Sequence, residues 1–372
     1  MSADCCAAIV DTPGAEFRLA PVDLDELRPN EICVDIVAAG ICHTDTSIRD
    51  SDTRTQKPVV LGHEGAGIVR AVGDAVTRCK VGDRIVTSFG SCGHCVACIA
   101  GRPAYCVEGD QRNFGGCRPD GSRAFAEQDH AVGSHFFGQS AFSTRTIVNE
   151  RSAVPVTTDV PLQRLAPLGC GLQTGAGAIF NSLSVHDDDS VLVFGAGSVG
   201  LAAVMAARIV GAKTIVAVDL QKARLDLAAE LGATGMVQVG AEDVQAALQR
   251  IAPNGFSKIL DTTGRPDMIV TALERIATGG VCGSVGMPHA PVEFSMRLLM
   301  SKGAALRGII QGDSDPMTML PKLIDLHERG LFPFERLVRY YRFEEINQAV
   351  GDMLSGAVIK PILCMPDSPP DA

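Results

Sequence analysis

Four consecutive residues, Cys42, His43, Thr44 and Asp45, bring together a thiol, an imidazole, a hydroxyl and a carboxylate. Such a set can bind a metal, relay a proton or form an ordinary polar loop. Three groups elsewhere could share its work: His63 with the adjoining Glu64 in "LGHEGAG", and Cys170 in "LGCGLQTGAGA". Two Cys and one His can hold a tetrahedral zinc and leave its fourth position open for a reacting oxygen. Chain spacing alone does not join these residues. Buried cysteines and a satisfied core histidine remain the competing reading.

A second cluster is more specific. "SCGHCVACIAGRPAYC" sets Cys92, Cys95 and Cys98 two residues apart, with Cys106 after a gap of seven. Four thiolates close a tetrahedral zinc and leave no open position, so this ion would be structural. An iron–sulfur cluster fits less well, because of the long gap and the missing proline after the last Cys. His94 lies inside the loop, but four sulfurs already saturate the metal, so it is expected on the surface.

A third pattern concerns phosphate. In "VLVFGAGSVGLAAVMAA", Gly195, Gly197 and Gly200 follow a strand and open a helix at Ser198. The first glycine permits the turn, the second the approach of a pyrophosphate, and the third close helix–strand packing. The helix N-terminus offers free N–H groups to an anion. Asp219 ends the next strand, where a carboxylate accepts ribose hydroxyls and repels a 2′-phosphate, so NAD is expected over NADP. Arg224, one helical turn on, would soften that preference.

These groups need elements to position them. The chain has 372 residues, too many for one ordinary core, so two domains are expected. Up to about residue 170 the sequence is β-rich with many turns, and Ile32, Val34 and Ile36 alternate as in a half-buried strand. From residue 190, continuous apolar strands alternate with helices, over 198–210 and 222–231. That texture predicts a parallel α/β sheet buried on both faces. The strand-like "AVIKPIL" comes near the end, and "PDSPPDA" reads as a frayed tail. A net charge of −10 argues against nucleic acid or an anionic membrane as partner. There is no run of about 18 apolar residues and no basic, apolar leader, so the expected compartment is the cytoplasm. The 13 cysteines there predict metal rather than disulfides.

Together, "GICHTD", "GHEGAG", "CGHCVACIAGRPAYC", "LGCGLQTGAGA" and "FGAGSVG" resemble the zinc-dependent medium-chain alcohol dehydrogenases, in order and over nearly the whole chain. That resemblance implies a GroES-like β-rich catalytic domain from residues 1–171 and 312–372, interrupted by a Rossmann NAD-binding domain over 172–311. It implies that Cys42, His63 and Cys170 hold a catalytic zinc, Cys2His being the known ligation of alcohol dehydrogenase. Glu64 would be a supporting carboxylate or an occasional ligand, and Asp45 would fix the tautomer of His63. Thr44 would bond the substrate oxygen, and His43 and Lys360 would reach the pyrophosphate. Thr174, Val199 and the backbone of Val285 and Gly286 would lie beside the nicotinamide. Zinc would lower the pKa of the alcohol, and hydride would pass from its carbinol carbon to NAD.

The stretches "GICHTD", "FGSCGHC" and "APLGCGLQTGAGAIFNS" resemble the aryl-alcohol (benzyl-alcohol) branch, which implies benzylic or allylic primary alcohols as substrates. Phe89, Phe114 and Ile310 are candidate pocket residues. The rival is the glutathione-linked formaldehyde dehydrogenase branch, whose anionic adduct needs basic groups; Arg112, Arg118 and Arg123 are candidates, though ordinary surface arginines are the expectation. A non-catalytic NAD-binding protein on the same fold is the remote alternative. The family usually forms dimers or tetramers through the edge of the Rossmann sheet, and "GAALRGII" is a candidate edge. Ser47 stands where many members of the family carry a proton-relaying His.

Overall fold

The computed structural model describes residues 5–52 and 54–366. The expected fraying from residue 367 onward lies outside them. The chain divides into two compact units: Met1–Cys170 with Asp315–Ile324 and Glu335–Ala372, and Gly171–Ser314 with Asp325–Phe334. The inserted unit is thus wider than the expected 172–311. The helix Gly171–Gly177 runs through the first boundary. The turn Gln311–Asp313 packs against it so closely that a Cβ on Gly177 would lie 2.5 Å from the Gly312 carbonyl. Asp325–Phe334 also joins this unit, which the sequence did not suggest.

The first unit is built on a seven-stranded sheet. Its longest member, Glu31–Gly40, buries Ile32, Val34 and Ile36, as the alternation requires. Two pairings place the chemistry. Gly65–Val72 runs antiparallel to it with Gly65 opposite Ala39, and Lys360–Cys364 runs antiparallel with Ile362 opposite Gly40. Glu64 and Lys360 therefore arrive beside the same glycine from two strands distant in sequence. A Cβ on Gly40 would lie 2.2 Å from Glu64 Oε2, so only glycine leaves room for that carboxylate.

The second unit carries a six-stranded, all-parallel sheet. Its strands stand in the order Gly235–Gln238, Thr214–Asp219, Ser190–Phe194, Phe256–Asp261, Ile276–Ser284 and Ala305–Gly308. Numbered along the chain, that order is the 3-2-1-4-5-6 of a dinucleotide-binding fold. Leu192, Phe194, Val216, Val218 and Ile259 fill the sheet's core. Among the described residues, no helix is long and apolar enough to cross a membrane.

Candidate functional site

Cys42 caps the helix His43–Asp50, and its N–H donates to Asp45 Oδ2 at 2.9 Å. The other Asp45 oxygen accepts from the Gly62 N–H at 3.1 Å and lies 2.9 Å from His63 Nδ1. One fully buried carboxylate thus ties the helix start to the segment before the strand Gly65–Val72. Because Asp45 accepts at Nδ1, the proton of the neutral imidazole sits there and the Nε2 lone pair faces the other way. Nε2 is buried and without a hydrogen-bond partner among the described residues. Cys42, His63, Glu64 and Cys170 each direct one donor atom into this space, and the four atoms lie within 4.8 Å of one another. A buried nitrogen lone pair costs free energy unless something takes it. Two thiol sulfurs, that lone pair and a carboxylate fit zinc by donor type as well as by spacing.

The electrostatics favour deprotonated sulfur at one position. The hydrogen bond from Cys170, helped by His63 and the charge of Lys360, holds Cys42 well below the ordinary thiol range despite burial. The same bond, with burial, holds Cys170 well above it. Burial alone would lower His63, but the charge and hydrogen bond of Asp45 raise it well above its ordinary value. Burial pushes the Glu64 carboxyl up to about 7, against the opposing charge of Lys360.

Lys360 requires a correction. Expected at the pyrophosphate, its ammonium is buried. It donates to both Glu64 oxygens at 2.9 Å and to the Ile41 carbonyl at 3.1 Å. All three donors are used, so none is free for a phosphate. It opens the strand Lys360–Cys364, two residues before Ile362, which pairs with Gly40, and this brings it beside Glu64. Thr44 Oγ1 lies 3.8 Å from Cys42 Sγ, half-buried beside the cluster. His43 and Ser47 are exposed on the same helix.

Sequence reasoning missed the aromatic wall. Phe137 stacks on the His63 ring at 4.5 Å, and Phe136 meets its edge at 5.5 Å. Phe114 meets Phe137 edge-on at 5.1 Å, with the Arg54 guanidinium 4.0 Å from its ring centroid. Phe114 is thus one ring removed from His63, behind Phe136 and Phe137. Phe89 is buried, and it borders a cavity shared with Cys98 and Pro103 instead. Ile310 is exposed in the other unit. The wall depends on His135 and Phe137 adopting left-handed backbone, φ 58° and 52°. Non-glycine residues rarely do so, and no sequence pattern announces it.

The three arginines of the neighbouring loops are all engaged. Arg118, expected at the surface, is buried. It bonds both oxygens of Glu31 at 2.7 and 2.9 Å and Asp25 at 2.6 Å. Arg112 pairs with Glu108, and Arg123 donates to the Ala131 carbonyl and Gln56. The buried Glu31 carboxylate drew Arg118 inward, since a buried charge needs a partner, while Asp25 meets it from the exposed side.

The second cluster closes as its spacing implies. Cys92, Cys95, Cys98 and Cys106 bring their sulfurs within 4.8 Å of one another. The short helix Val96–Ile99 and the turn Pro103–Tyr105 fold the loop around them. His94 is exposed, with Nε2 3.5 Å from Glu108 Oε1. It stands close enough to Cys92 to form a lesser cluster with Glu108, outside the four-sulfur set.

In the second unit the glycine turn joins the strand Ser190–Phe194 to the helix Ser198–Ile209. Gly195 has φ 91°, and a Cβ on Gly200 would lie 1.8 Å from the Gly195 carbonyl. Packing therefore demands these two glycines. A Cβ on Gly197 would meet nothing within 4 Å, so packing does not require this glycine. Asp219 is fixed beside the turn, accepting from the N–H groups of Ala196 at 2.7 Å and Gln221 at 2.8 Å. Arg224 Nε is buried without a hydrogen-bond partner among the described residues. Thr174 Oγ1 lies 3.4 Å from Gln311 Oε1, on a helix packed against Val199. The Val285 N–H donates to the Asp261 carbonyl at 2.9 Å, and Gly286 sits against Gly264, where a Cβ would clash at 2.2 Å. These groups suit a dinucleotide at the carboxyl ends of the strands.

Comparison with known proteins agrees with both halves. Residues 28–158 match the alcohol dehydrogenase GroES-like domain, and residues 198–328 match the zinc-binding dehydrogenase domain. The chain is 44% identical over 361 residues to the geraniol dehydrogenase of Castellaniella defragrans, covering 96% of each chain. The crystal structure of an alcohol dehydrogenase zinc-binding domain protein from Burkholderia ambifaria superposes with TM-score 0.95 at 44% identity. That of benzyl alcohol dehydrogenase from Acinetobacter calcoaceticus superposes with TM-score 0.94 at 40% identity. Each comparison spans 97% of this chain and 99% of the other.

Proposed function

This chain belongs to the zinc-dependent medium-chain alcohol dehydrogenases, and from that premise we propose that it oxidises primary aromatic or allylic alcohols to aldehydes with NAD. The observation that carries the substrate class is the aromatic cluster of Phe114, Phe136 and Phe137, in which Phe137 stacks on the His63 ring and Phe136 meets its edge. Such a cluster suits a flat π system bonded directly to the carbinol carbon. The names of two relatives, a geraniol dehydrogenase and a benzyl alcohol dehydrogenase, support the same class.

Cys42, His63 and Cys170 would hold the catalytic zinc, with Glu64 near enough to approach it. Bound there, zinc supplies Lewis acidity that lowers the pKa of an alcohol hydroxyl. Asp45 keeps the His63 proton on Nδ1 and so keeps the Nε2 lone pair directed at the metal position. Thr44 holds the hydroxyl proton and hands it toward solvent. Ser47 is exposed and cannot store a proton near neutral pH, so it is at most a waypoint. The Phe137 and Phe136 rings exclude water from one side of the reacting carbon.

The glycine turn with Ser198 would cradle the pyrophosphate of NAD, which supplies the hydride acceptor, and Asp219 would hold its ribose. Thr174, Val199, Val285 and Gly286 would face the nicotinamide, and His43 the phosphates. Arg224 would soften the discrimination against NADP. Cys92, Cys95, Cys98 and Cys106 would hold a second, structural zinc. The sheet ends at Ala305–Gly308, an exposed edge strand, and a second copy of the chain would pair there.

The test is a comparison of kcat/KM for benzyl alcohol, geraniol, ethanol, and formaldehyde with glutathione, with NAD and NADP, followed by cofactor absorbance. Benzyl alcohol or geraniol with NAD should lead. A lead for formaldehyde with glutathione would sink the assignment.

A further inference from the structure

Gln139 stands 76 residues from His63 in the chain, yet its side chain is built into the backbone around that residue. It is fully buried. Its Nε2 donates to the His63 carbonyl at 2.9 Å and to the Ser88 carbonyl at 3.1 Å. Its Oε1 accepts from the Gly65 N–H at 3.2 Å and from the Thr87 hydroxyl. Only one orientation of the amide serves two carbonyls on one side and an N–H on the other, so its flip is determined. Both backbone ends of the His63–Gly65 segment are thereby fastened to residues 87 and 88.

The same two residues reach a second metal-site ligand. The Ser88 hydroxyl donates to the Gly169 carbonyl at 2.7 Å, one residue before Cys170. A Cβ on Gly169 would lie 2.1 Å from the Thr87 carbonyl, so the two backbones are in direct contact. A continuous buried chain of hydrogen bonds therefore runs from His63 through Gln139 and Ser88 to the peptide bearing Cys170. Asp45 holds the opposite side of His63 together with Cys42.

We propose that Gln139, acting through Ser88, is a positioning residue that fixes His63 and Cys170 at the separation the catalytic metal requires. The proposal rests on the reading of Cys42, His63 and Cys170 as the zinc site. An apolar side chain would fill the same space, but it would leave the carbonyls of His63 and Ser88 without this donor. The flanking residues Phe137, Gly138 and Ser140 all take left-handed backbone. Local strain of this kind persists where the surroundings over-determine it. Here it aims the amide inward and lays Phe137 on His63.

The test follows zinc release from the holoenzyme to a chelator, counted per chain by native mass spectrometry, with alkylation mapping to show which cysteines become free. Gln139→Leu removes the amide's bonds to His63, Gly65, Thr87 and Ser88. Ser88→Ala removes the hydroxyl's bond to Gly169, leaves the Gln139 amide in place, and keeps the molecule testable if the first variant does not fold. Val148→Ala, a buried truncation in the same unit, controls for lost stability. Supporting contacts of this kind typically change metal affinity by roughly 10- to 100-fold. In both clamp variants one of two ions should leave faster by about that factor, exposing Cys42 and Cys170 while Cys92, Cys95, Cys98 and Cys106 stay protected. Val148→Ala should release both ions as the wild type does. Wild-type release in both clamp variants, or a joint loss of both ions that merely tracks melting as in Val148→Ala, overturns the proposal. A wild type that holds no ion at Cys42 and Cys170 overturns the zinc reading itself and the clamp with it.

Discussion

Lys360 Nζ lies 2.9 Å from both carboxylate oxygens of Glu64, although 296 residues separate the two in the chain. Both are buried. Removing one partner of such a pair leaves an uncompensated charge, which costs about 3–5 kcal/mol. Lys360→Met should therefore lower stability by that order, and adding Glu64→Gln should recover much of it. Thermal midpoints of the two variants check this. Equal losses in both would mean that the pair itself is not the source.

Cys98→Ser should act on the four-cysteine loop and leave the chemical step alone. The expected outcome is one zinc ion fewer per chain, a lower thermal midpoint, and kcat near wild type in the protein that stays folded. A full zinc content with an unchanged midpoint would contradict the structural role.

Thr44 and Ser47 share one helix but differ in setting, half-buried beside Cys42 against exposed. Thr44→Ala should lower kcat by about 10²-fold or more, the usual scale for a positioned proton-transfer group. Ser47→Ala should stay within about threefold of wild type, as expected for an exposed residue outside the proton path. Equal losses would restore Ser47 to the relay.

Glu31 supplies a pH test away from the metal sites. Burial would raise its carboxyl, but hydrogen bonds from His135 and Arg118 outweigh burial and hold it at about 2, below the ordinary 4.5. A depressed carboxylate contributes stability above its unfolded pKa and loses it as pH falls through the folded value. The loss should run from about pH 4.5 down to about pH 2 and amount to roughly 3 kcal/mol. Denaturation midpoints against pH should show it, and Glu31→Gln should flatten that limb. A wild-type curve already flat there would contradict the assignment.

Much of this was legible in the sequence because some residue types have few alternative uses. Four clustered cysteines close one cluster, and the glycines at 195 and 200 stand where a Cβ could not. Asp219 falls at the strand end where its spacing from the glycines put it. Cys42, His63 and Cys170 were joined by resemblance, since spacing could not show that they meet. Lys360 was placed at the pyrophosphate by resemblance, while in the structure its ammonium is buried against Glu64 and the Ile41 carbonyl. Arg118 and Gln139 were hidden as well. A buried polar side chain looks like a surface one until the backbone groups it serves are known. A lone amide between "FFG" and "SAF" was the only hint for Gln139.

The most direct measurement follows NAD reduction by benzyl alcohol or geraniol on the zinc-loaded enzyme, after selective removal of the ion at Cys42, His63 and Cys170, and after zinc is restored. Turnover should be present, then lost while the four-cysteine ion is retained, then regained. Undiminished turnover without that ion, or no NAD reduction by either alcohol at any stage, would contradict the assignment of this chain as a zinc-dependent aromatic or allylic alcohol dehydrogenase.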